Sequence, residues 1–129
     1  MRRAHGLLVV LGLAAMGAVV GIVGAFVQAI AISLDDVRLP IGAVVAVAVI
    51  AVAARAGAVL AHSRAGAIAV AIGWALPVLW MSAFPTSEGD VILASTTSAL
   101  IFVYGGVLAA TFALVLPVRP LRPAGEARP

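Results

Sequence analysis

The chain has no cysteine, and all eight of its basic residues are arginine. The lack of cysteine excludes disulfides, thiolate metal sites and cysteine nucleophiles. Charge is scarce as well: 10% of residues are charged, against about 25% in a soluble domain. Aromatics make up 5% and hydrophobic residues 64%, where soluble proteins sit near 45–50% apolar. A chain of 129 residues with so few polar groups cannot cover its own surface in water. The simplest remedy is a covering of lipid. At this length one ordinary domain is expected.

Catalytic signatures are missing too. There is no Walker loop, no HExxH and no Cys/His cluster. His5 and His62 lie at the borders of apolar runs with no carboxylate near them in sequence, and read as solvated loop histidines. Ser95, Thr96, Thr97 and Ser98 have no neighbouring base and read as a polar helix entry. The acids Asp35, Asp36, Glu88 and Asp90 lack the spacing of a calcium loop, which gathers about 6–8 oxygen ligands. No catalytic residue, metal or cofactor is expected, and an enzyme is the least favoured class. The net charge of +3 is spread between apolar runs, with no basic patch interleaved with aromatics, so no nucleic-acid partner is expected. The arginines suit the anionic face of a bilayer.

What is present is apolar length. Four runs, about residues 7–32, 41–60, 65–84 and 98–116, each approach the roughly 20 helical residues that cross a bilayer core of about 30 Å. The valine and isoleucine of the second run would suit a strand in water. Its length, and the need of lipid-exposed backbone to satisfy its own hydrogen bonds, favour a helix. The expected fold is all-α, a four-transmembrane-helix bundle over residues 1–117, with a disordered tail rich in proline and charge over 118–129. The first run is too long for a signal peptide, whose apolar region spans about 7–15 residues. With four spans, Arg2, Arg3, Arg64, Arg119, Arg122 and Arg128 fall on one side and Arg38 on the other. The positive-inside rule then places both termini in the cytoplasm, as in a multi-pass protein of a bacterial plasma membrane.

A few residues depart from the apolar background. Arg55 lies inside the second run, about 8 Å along the axis from Leu60. It reads as an interfacial anchor that snorkels, or as a buried cation facing an anion path or a partner. Gln28, toward the outer end of the first run, suits an interhelical hydrogen bond or an interfacial amide, with lining of a solute path as the alternative. Tyr104 suits packing, with its hydroxyl bonded to a neighbouring helix. Gly17, Gly21 and Ala25 form a small-residue stripe, and Gly105 and Gly106 a second, both suited to close helix packing within the chain or in a homodimer. Pro77 should kink the third run, with Trp80 and Phe84 placed as an interfacial aromatic belt. The outer stretches Asp36-Val37-Arg38-Leu39 and Asp90-Val91-Ile92-Leu93 share a short echo that chance explains best.

Several small four-span families invite comparison. Small multidrug antiporters exchange protons through a carboxylate in the first span, and this first run has none. "GIVGAFVQ" is similar to the first-span motif of small fluoride channels, but their arginine and asparagine pattern is missing. "EGDVI" after a Trp-bearing third run, followed by "VYGG" in the fourth, resembles an uncharacterised actinobacterial family of small four-span membrane proteins. The resemblance covers roughly residues 7 to 117. It implies an integral membrane protein of unknown function and supplies no active residues. The expected role is a non-enzymatic accessory or scaffold, with membrane lipids and a membrane protein or second copy as partners. A small channel or transporter is the alternative, and a holin-like pore a weaker one.

Overall fold

The computed structural model describes residues 1–84 and 97–118. Its helices are α1 (Arg2–Val27), α2 (Ile41–Leu60), α3 (Arg64–Ala83) and α4 (Thr97–Val115), with a two-stranded hairpin, β1 (Ile32–Leu34) and β2 (Val37–Leu39), between α1 and α2. All four helices are long and apolar enough to cross a membrane. At about 1.5 Å per residue, α2, α3 and α4 span about 30 Å and α1 about 39 Å. The extra length lies at the α1 N-terminus, where exposed Arg2, Arg3 and His5 begin the helix.

The architecture is an all-α bundle. Helices α2 and α3 are neighbours through a tight turn, α1 packs mainly on α3, and α4 packs mainly on α2. Helices α1 and α4 scarcely touch. The core is filled by Phe102, Ile50, Val70 and Val78, all nearly inaccessible, and by Trp74, whose ring meets Phe102 edge-on with centroids 5.8 Å apart. The outward residues are aliphatic: Leu8 and Val23 on α1, Val52 on α2, Leu76 on α3 and Leu108 on α4 are all well exposed. With apolar residues on both the inward and the outward sides, the helices carry little amphipathic bias, which is the pattern of helices solvated by lipid.

Backbone proximity sets how the helices meet. A Cβ added at Gly17 would strike the Val70 carbonyl, one at Gly73 the Ala14 backbone, and one at Gly66 the Gly57 carbonyl. One at Gly21 would lie 2.8 Å from the Trp74 carbonyl oxygen. Without a hydrophobic force between helices in lipid, such close contact is the main source of attraction. Hydroxyls inside the apolar helices bond back onto their own turn: Ser82 Oγ donates to Val78 O at 2.8 Å and Thr111 Oγ1 to Val107 O at 2.7 Å.

The α2–α3 turn closes with a Schellman motif. Ser63 N–H donates to Ala58 O at 3.1 Å and His62 N–H to Val59 O at 3.1 Å, while His62 adopts φ 50°. That left-handed position usually holds glycine. His62 is exposed at this turn and plays a backbone role there.

The first apolar run departs from expectation. The helix starts at Arg2 and ends at Val27, where the sequence suggested residues 7–32. Gly42 of α2 sits against the Val27 carbonyl, and its N–H bonds Ile30 O at 2.9 Å. Beyond that contact the chain turns into the hairpin, with Leu34 opposite Val37 and Asp35 at φ 53° in the two-residue turn. Aspartate tolerates that left-handed region better than most residues. Ile32, Leu34, Val37 and Leu39 share one exposed apolar face, since alternate strand residues point the same way. Ser33 and Arg38 occupy the other. The stretch between α3 and α4 with Glu88 and Asp90, the Ser95–Thr96 entry and the tail from Arg119 lie outside the described residues.

Candidate functional site

Arg55 is the charged residue set deepest within any of the four helices, Arg2, Arg3 and Arg64 all standing in first turns. It sits late in α2, whose C-terminal half carries Ala53, Ala54, Gly57 and Ala58 in the buried interface and leaves Arg55 half-buried beside α4. Its Nη2 donates to Pro117 O at 2.8 Å, and its Nη1 to Leu116 O at 3.4 Å. These carbonyls lie just past the end of α4, where a helix leaves its last C=O groups without partners and carries partial negative charge. The guanidinium therefore caps the C-terminus of a helix about sixty residues away in sequence. Its Cα lies about 8 Å inside α2, yet its charge reaches the helix end. No Asp or Glu occurs in any of the four helices.

Arg55 also borders a groove of about 640 Å³ between α2 and α4. The groove is otherwise lined by aliphatic residues and Phe112, among them Val52, Ala56, Ala109 and Leu116. A smaller groove of about 240 Å³ lies between α1 and α2, with walls of Val19, Val23, Val45 and Val49. It holds no charged or polar side chain.

The other sequence candidates fall elsewhere. Gln28 follows the last residue of α1 and is buried at 3% exposure. Its backbone N–H bonds Gly24 O, while its side-chain Oε1 is buried without a protein partner. Tyr104 is 66% exposed on the outer face of α4, where the sequence suggested a ring packed against a neighbouring helix. The three residues do not come together: Gln28 lies at the hairpin end, Arg55 at the end with the α2–α3 turn, and Tyr104 on the outside. Trp74 Nε1 is the other buried side-chain polar atom without a partner among the described residues. Trp80 and Phe84 stack near the C-terminus of α3, their centroids 4.5 Å apart, and both are exposed.

The glycines divide by partner. Gly17 and Gly21 meet α3, at Val70 and Trp74. Gly106 meets the Trp74 ring, and Gly105 meets Val47 of α2, whose Cγ2 would lie 2.9 Å from an added Cβ. All four contacts are within the chain. Sequence reasoning named Gly57, which meets Val70 and Gly66 of α3, but did not single out Gly24, Gly42, Gly66 or Gly73, which make equally close approaches. The signal was present, since small residues three or four apart recur in α2 and α3, but alanine-rich helices offer many such stripes.

No curated protein and no solved structure matches the chain. A family model does, over residues 2–128, so the match covers the whole bundle. The chain belongs to a family of unknown function (DUF6113).

Proposed function

We propose that this chain is a non-enzymatic accessory or scaffold protein of a bacterial plasma membrane, multi-pass, with both termini in the cytoplasm. The lysine-free, Ala/Val/Arg-rich composition supports an actinobacterial source. The observation that carries the reading is the separation of Gln28, Arg55 and Tyr104 around a filled interior. Phe102, Ile50, Val70, Val78 and Trp74 occupy the space where a path through a single bundle would run. The outer surface offers lipid or a partner helix long aliphatic faces instead. The arginine distribution supports the orientation, through the positive-inside rule.

In-membrane crosslinking followed by purification in mild detergent tests the role. The expected product is a discrete complex with another membrane protein, and a chain that always emerges alone refutes the reading. Reporter fusions at each end test orientation, and reporters on opposite faces refute it. A small channel or transporter is the second reading, favoured by one observation: Gln28 Oε1 is buried without a partner near the hairpin end. Flux of ions and small solutes into proteoliposomes, lost in Gln28→Leu, would establish it. Absence of flux across a broad panel discards it.

A further inference from the structure

The groove between α2 and α4 has the shape and chemistry of a phospholipid site. One end carries a fixed positive charge, and the rest is aliphatic or aromatic. Its volume of about 640 Å³ falls in the range of about 300–1,000 Å³ typical of ligand pockets. It opens sideways between the two helices, away from the filled core. The Leu116 and Pro117 carbonyls hold Arg55 in place and occupy part of its donor set. A guanidinium has five N–H donors, so others are left for an anion. No carboxylate of α1–α4 can neutralise it, because those helices contain none. Asp35 and Asp36 lie in the hairpin turn, at the opposite end of the bundle.

We propose that this groove binds an anionic phospholipid of the leaflet bordering the α2–α3 turn. The headgroup phosphate lies on the Arg55 guanidinium, and the acyl chains run along Val52, Ala56, Ala109 and Phe112. Two features select this occupant. The phosphate matches the forked guanidinium, which suits phosphate oxygens better than a point charge would. The apolar walls match hydrocarbon, which a free anion lacks. The carbonyl bonds fix the guanidinium at headgroup depth, so little side-chain freedom is lost on binding. The site rests on the membrane placement proposed above and is independent of whether the chain is a scaffold or a channel.

The test uses the full chain in nanodiscs of equal phosphatidylglycerol and phosphatidylcholine, released into mild detergent for native mass spectrometry. The intact chain should retain phosphatidylglycerol over phosphatidylcholine by about tenfold, because both lipids offer the phosphate but the choline ammonium neutralises it and repels the guanidinium. Arg55→Gln should bring the two lipids level, and Arg55→Lys should keep part of the preference. Ala56→Phe fills the groove but keeps Arg55, and should lower retention of both lipids. That variant decides the matter if Arg55→Gln loses its helical circular dichroism. Inorganic phosphate should not displace the lipid. Equal retention by the intact chain overturns the proposal. So does an unchanged preference in folded Arg55→Gln, unchanged retention in Ala56→Phe, or displacement by phosphate. Failure of the membrane placement is separately visible, as chain that leaves the membrane fraction without detergent.

Discussion

Gly17 and Gly12 lie on the same helix but meet different surroundings, and the pair isolates what close backbone contact contributes. A methyl added at Gly17 would strike the Val70 carbonyl, with the Val70 carbon at 2.9 Å and the Trp74 backbone nitrogen at 3.0 Å. These are backbone atoms of α3 and cannot swing aside. To admit the methyl, the backbones of α1 and α3 must move apart at this crossing. At Gly12 an added methyl meets nothing within 4 Å. Both substitutions gain the same helix propensity, about 1 kcal/mol for alanine over glycine. The difference between them is therefore the overpacking term alone, about 1–3 kcal/mol. That corresponds to about a five- to 150-fold difference in the unfolding equilibrium. Unfolding in mixed micelles by increasing sodium dodecyl sulfate, followed by the emission of Trp74 and Trp80, measures it. Gly17→Ala should unfold at lower detergent fraction than Gly12→Ala. Equal midpoints would refute the claim that α1 and α3 are held by backbone contact at this point.

Other perturbations follow from single residues. Phe102→Ala removes a ring buried to 1% that abuts Gly24 and Trp74, and should cost about 3–5 kcal/mol in the same unfolding assay. Gln28→Leu removes a buried carbonyl oxygen that has no partner, and should stabilise the bundle by about 1–3 kcal/mol; a loss of stability would show that the amide is satisfied in the membrane. His62→Gly relieves the left-handed backbone at the α2–α3 turn, and should stabilise by about 1 kcal/mol, whereas His62→Val should destabilise.

The extent to which the sequence disclosed this fold follows from which forces act locally. The bounds of α2, Ile41–Leu60, match the expected run, and α3 and α4 begin one residue before theirs. Polar or turn-forming residues flank these helices, Pro40 before α2 and His62-Ser63 before α3, so composition marks the borders. The end of α1 had no such mark. Ile30 and Ile32 are as apolar as the helix before them, and where the helix stops Gly42 of α2 packs against the Val27 carbonyl, a tertiary contact that no local residue announces. The hairpin's own signal was the Asp35-Asp36 pair between two alternating triplets, Ile32-Ser33-Leu34 and Val37-Arg38-Leu39, short enough to pass for a loop. The glycine stripes announced close packing, but not that Gly17 and Gly21 would meet α3 while Gly105 meets α2. Arg55 was conspicuous in the sequence as a charge in an apolar run. Its partners, the carbonyls of Leu116 and Pro117, were invisible, because any residue at those positions offers the same backbone oxygen.

That bond changes what an arginine in an apolar helix signifies here. A cation near the middle of a bundle draws attention as a binding site because nothing else there can balance it. The end of α4 supplies part of that balance, through two carbonyls and the negative pole of the helix. The hydroxyls of Ser82 and Thr111 are likewise satisfied within their own helices. Among the described residues, only Gln28 Oε1 and Trp74 Nε1 are buried side-chain polar atoms without partners, and Trp74 is clamped between Gly106 and Phe102. The bundle's middle is therefore occupied by contacts that exclude solvent and ligands alike. Trp74 Nε1 is enclosed by that packing, while Arg55 and Gln28, each with donors or acceptors to spare, lie toward opposite ends, where α2 and α1 finish. Recognition by this chain should accordingly be sought at the two ends of the bundle, beginning with Arg55 and the groove beside it.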